Sequence, residues 1–169
     1  MKKIMLAWLT VASLLMGCSG SEMSVKGTYR NPVIYADVPD MSVTRAGEYY
    51  YMISTTMHLM PGGPVMRSKD LVNWETVSYV FDKLTDNSKY DLIGGTVYGR
   101  GQWASSIRYH NGKFYVLFSP NDVPYRSYIF TADNPAGKWE LLSRTQHFHD
   151  ALCFLMMTDG YMYSMEPVS

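Results

Sequence analysis

Two aspartates stand three residues apart in residues 35–43, and Pro39 comes directly before the second of them, Asp40. Proline fixes its own φ angle and has no backbone donor, so it makes a rigid bend before Asp40. A carboxylate held just after such a bend, at the start of a strand, is well placed to accept or donate a proton. The alternative is an ordinary turn in which Asp37 and Asp40 merely lead the chain into the strand.

The first 18 residues have the pattern of a secretory signal, with two lysines and then an apolar run over residues 4–16. That run is too short for a mature membrane span, so we exclude residues 1–18 from the predicted fold. Its end, Leu-Met-Gly-Cys at Cys18, resembles the lipobox of bacterial lipoproteins. We expect an exported lipoprotein, anchored by a lipid on Cys18 to a periplasmic or outer face of the cell envelope, with a polar tether over residues 19–27. The alternative is cleavage to a soluble exported protein.

The composition excludes several classes of partner. The 15 basic and 15 acidic side chains cancel, so neither nucleic acid nor an anionic membrane surface is indicated as a partner. Aromatic residues make up 14% of the chain, which suits a β-rich protein and also a surface that stacks on sugars or other flat apolar faces. The two cysteines, Cys18 and Cys153, provide no disulfide framework and no metal-binding pattern.

Short extended segments dominate the rest of the chain, and no stretch shows a sustained helical period. Residues 82–101 are rich in turn-formers and are predicted to form a long loop, and Asn111-Gly112 is a hairpin signal. Residues 61–64, Pro-Gly-Gly-Pro, are predicted to interrupt the strands. The predicted strands cover residues 41–44, 49–55, 65–68, 75–81, 105–109, 113–119, 128–132, 138–143, 154–157 and 161–165.

An internal repeat organises these strands. Trp74 and Trp139 are separated by the same 65 positions as Gly47 and Gly112, each of which begins a turn followed by an aromatic strand. The glycine unit recurs at Gly160. A repeated four-stranded unit of this length is typical of β-propeller blades, and we expect each blade to end in a tryptophan turn that packs its indole against the neighbouring blade. The alternative is a β-sandwich with coincidental spacing.

Four motifs, in order and at ordinary spacing, resemble the opening of glycoside hydrolase family 43. The resemblance covers nearly all of residues 28–163. It implies an all-β fold, an incomplete five-bladed β-propeller of about two blades and the start of a third, within a domain at residues 28–169. It also implies a hydrolase that attacks β-xylosides, α-L-arabinofuranosides or arabinans with inversion. The motifs lie at residues 31–43 with 47–51, 61–65, 68–74, and 101–109.

The resemblance implies roles for individual residues. Asp40 matches the general base, although Met41 stands where the family has proline. Asp150 matches a second aspartate that orients the acid and tunes its pKa. Trp103 resembles an aromatic residue that lines the sugar pocket, and His58 lies in a loop near the same mouth, where it is expected to contact substrate. The alternative for His58 is a solvated loop histidine.

The general acid is missing from this pattern. An inverting hydrolase needs a base and a protonated acid separated by roughly 6.5–9.5 Å, so that a water fits between them. The family's acid is a glutamate one blade beyond the second aspartate, and Glu166, the only glutamate after Asp150, has surroundings unlike the acid's motif. We therefore expect the N-terminal part of a longer enzyme, with little activity alone, since losing a general acid costs ~10²–10⁴-fold.

A second function of a different class stays open: a non-catalytic, glycan-binding surface lipoprotein that keeps the sugar pocket without the chemistry. In both cases the expected partner is a pentose-containing oligosaccharide or polysaccharide. The sequence shows no nucleotide loop, zinc motif or nucleophilic serine series, so no cofactor is expected. Some family members hold a calcium ion on the propeller axis, and the resemblance leaves this open here, as it leaves open the choice between xylose and arabinose.

Overall fold

The computed structural model describes residues 27–149 and the backbone of residues 152–155 and 162–165. The predicted signal, Cys18 and Asp150 lie outside the described residues. The chain divides into two units, Met1–Arg30 and Asn31–Ser169, and every strand described belongs to the second. In the described part of the chain, no helix has the length and apolar character needed to cross a membrane.

The first blade is a four-stranded antiparallel sheet in the order β1-β2-β3-β4. Gly47, with a φ of 61°, makes the tight turn between its first two strands, where a side chain would be strained. This sheet confirms the first unit of the predicted repeat. Its strands are β1 (Ser42–Ala46), β2 (Tyr49–Ile53), β3 (Gly62–Ser68) and β4 (Glu75–Phe81).

The second blade repeats this plan in the order β5-β6-β7-β8. The predicted hairpin at Asn111-Gly112 is confirmed, and both residues have positive φ, as a two-residue hairpin turn requires. Two further strands, β9 (Leu152–Leu155) and β10 (Met162–Met165), pair antiparallel as the start of another sheet. The second blade consists of β5 (Gln102–His110), β6 (Lys113–Pro120), β7 (Arg126–Ala132) and β8 (Glu140–Gln146).

Several predicted strand bounds differ from the observed ones, and one predicted interruption was wrong. The prediction that residues 61–64 interrupt the strands fails because β3 begins at Gly62, which pairs with Phe81 of β4. A Cβ atom at Gly62 would lie 2.3 Å from the Phe81 ring, so glycine lets the ring pack over the strand. The predicted loop over residues 82–101 contains one short 3₁₀ helix, Ser88–Asp91.

The tryptophan turns lie before the last strand of each blade and not at its end, because β4 and β8 follow them. Trp139 is buried, and its indole N–H donates to Ser78 Oγ of the first blade at 3.2 Å. This confirms the predicted packing of one indole against a neighbouring blade. The Trp74 indole instead donates to the Leu71 carbonyl oxygen within its own turn, at 3.0 Å.

Aromatic rings hold the two blades together. Phe81 of the first blade stacks on Phe118 and Phe130 of the second, with ring centroids 5.0 and 6.0 Å apart. Tyr51 and Phe114 make an edge-to-face contact at 4.9 Å across the same interface. Burying one such side chain stabilises a fold by about 1.5–3 kcal/mol, so this cluster fixes one blade on the other.

The inner strands of the two blades run parallel. Ile107 N–H donates to Ser42 Oγ and Tyr109 N–H donates to Thr44 Oγ1, each at 3.2 Å and each across 65 positions, which is the repeat length. β5 also packs against β9, so the inner strands of successive sheets are neighbours. We call the face at which β1 and β5 begin the N-terminal face. Asp40, just before β1, and Trp103, near the start of β5, lie there.

Candidate functional site

Four segments converge on the N-terminal face because neighbouring strands of a blade alternate in direction. Every second connection therefore returns to the face at which β1 and β5 begin. Three of the predicted site residues, Asp40, His58 and Trp103, belong to these connections or directly adjoin them. The segments are the β2–β3 loop at residues 54–61, the crossover at residues 82–101, the β6–β7 loop at residues 121–125, and residues 147–149 after β8.

Asp40 is exposed to solvent, and hydrogen bonds from another segment hold the backbone directly before it. The carbonyl oxygen of Pro39 accepts hydrogen bonds from Ser54 Oγ at 2.7 Å and from Thr55 N–H at 3.2 Å. Asp40 itself has a φ of 50°, a conformation that aspartate tolerates better than most residues. The bend before Asp40 is therefore held by contacts with the end of β2, and not only by local turn chemistry.

Gln102 connects this bend to Trp103. Its side chain is fully buried, and its Oε1 accepts from Thr56 N–H at 2.7 Å and from Thr56 Oγ1 at 2.8 Å. Its Nε2 donates to the carbonyl oxygens of Ser54, at 3.2 Å, and Trp103, at 2.9 Å. Ser54 also donates to the Pro39 carbonyl oxygen, so one hydrogen-bonded chain runs from the carbonyl group directly before Asp40 to the carbonyl group of Trp103.

The backbone around Gln102 makes the same connection. Gln102 and Met57 exchange two backbone hydrogen bonds, at 2.7 and 2.8 Å, which join β5 to the β2–β3 loop of the first blade. A Cβ atom at position 101 would lie 1.7 Å from the Met57 carbonyl oxygen, so only glycine fits there. Sequence reasoning missed Gln102, and its one signal was a polar amide between Gly101 and Trp103.

Trp103 is partly buried, and its indole N–H donates to the Gly99 carbonyl oxygen at 3.0 Å. Its ring centroid lies 5.8 Å from that of His149. His149 directly precedes Asp150, which lies outside the described residues. The structure thus brings Trp103 next to the segment on which the sequence predicts the second carboxylate, as well as linking it to the Asp40 bend.

His58 packs against another aromatic side chain and does not project freely into solvent. Its ring centroid is 4.7 Å from that of Tyr98, which is itself well exposed. The Nδ1 atom of His58 is buried without a hydrogen-bond partner. The structure therefore adds Tyr98 to the N-terminal face, a residue that the sequence analysis did not select.

Two other features of the described residues bear on the choice of site. An open groove of about 700 Å³ flanks β1, but its lining, which includes Ile34, Met41 and Trp74, contains no titratable side chain. It therefore offers nothing for acid–base catalysis. Among the described residues, no group of three or more histidine, cysteine, aspartate or glutamate side chains lies close enough together to hold a metal ion.

The fold and the N-terminal face define the class of protein: part of a β-propeller of the kind used by enzymes that cleave glycosidic bonds. The chain belongs to glycosyl hydrolases family 43, whose model matches residues 29–155. This confirms the family and the all-β propeller fold predicted from the sequence motifs.

Individual relatives agree with this assignment. The chain is 36% identical over 113 residues to a beta-xylosidase of Formosa agariphila, and the matched region covers 67% of the chain and 19% of that protein. It is 34% identical over 144 residues to the non-reducing end alpha-L-arabinofuranosidase BoGH43B of Bacteroides ovatus, and this match covers 83% of the chain and 26% of that protein. A solved bifunctional GH43-CE protein of Bacteroides eggerthii superposes with a TM-score of 0.75 at 42% identity, covering 83% and 20%. The chain thus spans about a fifth to a quarter of these proteins.

Proposed function

We propose that this protein acts as a glycosidase on pentose-containing polysaccharides or oligosaccharides such as xylan, arabinoxylan or arabinan, with Asp40 as the general base of an inverting reaction. The observation that carries the proposal is the exposed Asp40 carboxylate on a backbone joined to Trp103 through Ser54 and Gln102. The names of the relatives, a beta-xylosidase and an arabinofuranosidase, support the choice of pentose substrates.

In this mechanism each residue has a separate task. Trp103 offers an apolar ring face on which a sugar stacks, and the fixed bend holds Asp40 where it can take a proton from the attacking water. Asp150 orients the acid and tunes its pKa. The acid is a glutamate with no match in this sequence, so on this proposal the 169-residue chain supplies the base and the sugar platform of a longer enzyme.

The proposal also covers the location of the protein. The lipobox-like residues that end at Cys18 support export and attachment to the cell envelope through a lipid on that cysteine. Mass spectrometry of the mature N-terminus tests this directly. A diacylated Cys18 is expected, and an unmodified N-terminus at another residue would refute it.

The experiment for activity uses the 169-residue chain with aryl β-xylosides and aryl α-L-arabinofuranosides. A nitrophenolate leaves without protonation, so these substrates need the base but not the missing acid. We expect slow release of nitrophenol with inversion at the anomeric carbon, and a loss of about 10²–10⁴-fold in Asp40→Asn. Asp37→Asn is the matched control and should keep the rate.

Equal rates for Asp40→Asn and the unaltered chain would refute the role of Asp40. The second candidate function, a glycan-binding lipoprotein without catalysis, is favoured by the exposed Tyr98 ring beside His58. Binding of pentose oligosaccharides without any release of nitrophenol, by the unaltered chain, would select that function.

A further inference from the structure

A row of four aromatic rings crosses the N-terminal face of the second blade, starting at Trp103 and ending at Tyr125. We call it the aromatic row. The centroid of Trp103 lies 5.8 Å from that of His149, which lies 6.4 Å from that of His147. His147 lies 5.7 Å from Tyr125, whose ring meets it edge-on.

The aromatic row lies at the surface and is not part of the core. Tyr125 keeps 47% of its accessible surface, His149 is exposed, and His147 and Trp103 are partly buried. Aromatic residues normally bury most of their area, because each ring removes a large apolar surface from water. The row therefore presents two exposed rings, Tyr125 and His149, and the open parts of two others on the face that carries Asp40, a surface that suits a ligand with apolar faces.

The fold holds Tyr125 in place at a conformational cost. Tyr125 has a φ of 50°, which is a strained conformation for a bulky residue and persists only when surrounding contacts enforce it. Its N–H donates to the Asp122 carbonyl oxygen at 2.9 Å. The Asp122 carboxylate is buried and accepts hydrogen bonds from Lys89 Nζ at 3.1 Å and from Val123 N–H at 2.8 Å.

The charge state of Asp122 supports this anchoring. Burial disfavours the charged carboxylate, but the hydrogen bonds from Val123 N–H and Lys89 outweigh that effect and hold the pKa of Asp122 below its ordinary value. Asp122 is therefore ionised at neutral pH. The resulting ion pair ties the loop that carries Tyr125 to the 3₁₀ helix of the crossover.

The histidine segment in the middle of the row is fixed as well. Phe148, between the two histidines, donates its N–H to Ser127 Oγ at 2.9 Å, and its carbonyl oxygen accepts from Ser119 Oγ at 2.6 Å. Both serines are buried. The backbone between His147 and His149 is thus held by the second blade itself, and the loop that carries Tyr125 is held by a separate anchor at Asp122.

We propose that the aromatic row is an extended binding site for the sugar units of an oligosaccharide beyond the unit that stacks on Trp103. The proposal rests on the proposed function, because the row begins at the candidate sugar platform. The rings are spaced on the scale of one pentose unit, so successive units can meet successive rings. The imidazole nitrogens of His147 provide polar atoms for sugar hydroxyl groups between the stacking faces of Trp103 and Tyr125.

The test measures affinity against chain length. Xylo- and arabino-oligosaccharides, from the monosaccharide to the hexasaccharide, are titrated into the 169-residue chain by calorimetry. We expect the hexasaccharide to bind more tightly than the disaccharide, and Tyr125→Ala to lower hexasaccharide affinity about 3- to 10-fold, with disaccharide affinity unchanged. Tyr125→Phe keeps the ring and should keep the gain. Tyr79→Ala, a tyrosine of similar exposure on β4, is the matched control.

His147→Ala is a second variant, which removes a ring without touching the strained backbone at Tyr125, and it should reduce the length-dependent gain in the same way. Equal affinity for short and long sugars in the unaltered chain, or an undiminished gain in both Tyr125→Ala and His147→Ala, overturns the extended site and leaves Trp103 and Asp40 in their proposed roles. Absence of binding at every length overturns the sugar platform itself, and the proposed function with it.

Discussion

Replacing Gln102 by methionine tests whether one buried amide holds the candidate site together. Methionine has a similar length and volume but lacks the polar atoms of the amide, so Gln102→Met removes the hydrogen bonds without opening a large cavity. The side chain at this position is fully buried, and water therefore does not replace the lost partners.

The expected loss follows from counting the groups left without a partner. The Trp103 carbonyl oxygen keeps a hydrogen bond from Ser105 Oγ at 3.1 Å, and Thr56 Oγ1 keeps a weak one from Gly63 N–H at 3.4 Å. Thr56 N–H and the Ser54 carbonyl oxygen lose the bonds that Gln102 makes to them. One buried and one partly buried group, at roughly 1–3 kcal/mol each, lower the free energy of unfolding by about 2–6 kcal/mol.

Urea denaturation followed by circular dichroism measures this loss. Gln146→Met, at the exposed end of β8, is the matched control and should stay within about 0.5 kcal/mol of the unaltered chain. The indole N–H resonance of Trp103, which donates to Gly99, should shift in Gln102→Met and not in Gln146→Met. A Gln102→Met chain that matches the control in both measurements would refute the reasoning.

Two further predictions concern the loops around the site. Gly101→Ala places a methyl group against the Met57 carbonyl oxygen and should lower the free energy of unfolding by about 1–3 kcal/mol, and an unchanged urea midpoint would contradict that close approach. The hydrogen bonds from Val123 N–H and Lys89 lower the pKa of Asp122 in the folded chain. The stability that this carboxylate contributes is therefore complete above the unfolded aspartate pKa of about 3.9. It is lost as the pH falls through the lower folded pKa. Asp122→Asn should therefore flatten the fall of the urea midpoint below about pH 4, whereas Asp133→Asn, an exposed partner in a surface ion pair, should leave that slope as it is.

Much of the fold could be predicted because local signals agree with the final pairing. β4 has the predicted bounds, Glu75–Phe81, since the turn at Trp74 marks its start and a segment rich in β-branched and aromatic residues follows. β5 begins at Gln102 and not at the predicted Ser105, because a register shift between Gln102 and Ser105 breaks the alternation on which the prediction relied. The pairing of this first part with the Met57 loop is tertiary and leaves no periodic signal.

The candidate site, like the fold, could be predicted from the sequence only in part. The resemblance to the family selected Asp40 and Trp103, and the 65-residue repeat predicts that the inner strands next to them are neighbours, as the contacts of Ile107 with Ser42 and of Tyr109 with Thr44 confirm. The amide of Gln102, by contrast, forms hydrogen bonds with Thr56, 46 positions away in the sequence. Neither residue type nor local pattern predicts that contact. Tyr125 and His147 likewise belong to separate connections of the second blade, which meet only after the blade has formed.

The two inner strands are joined by the hydroxyl groups of Ser42 and Thr44, and not by a backbone ladder. Each sheet thus keeps its own backbone ladder, and the boundary between the blades is a seam closed by side-chain packing and by the one backbone pair between Met57 and Gln102. Opening this seam would leave the ladder of each sheet in place. Asp40 and Trp103 stand on opposite sides of that seam. A sugar that contacts both residues therefore binds only while the two blades are together. Its binding free energy opposes their separation, and saturating sugar should raise the free energy of unfolding.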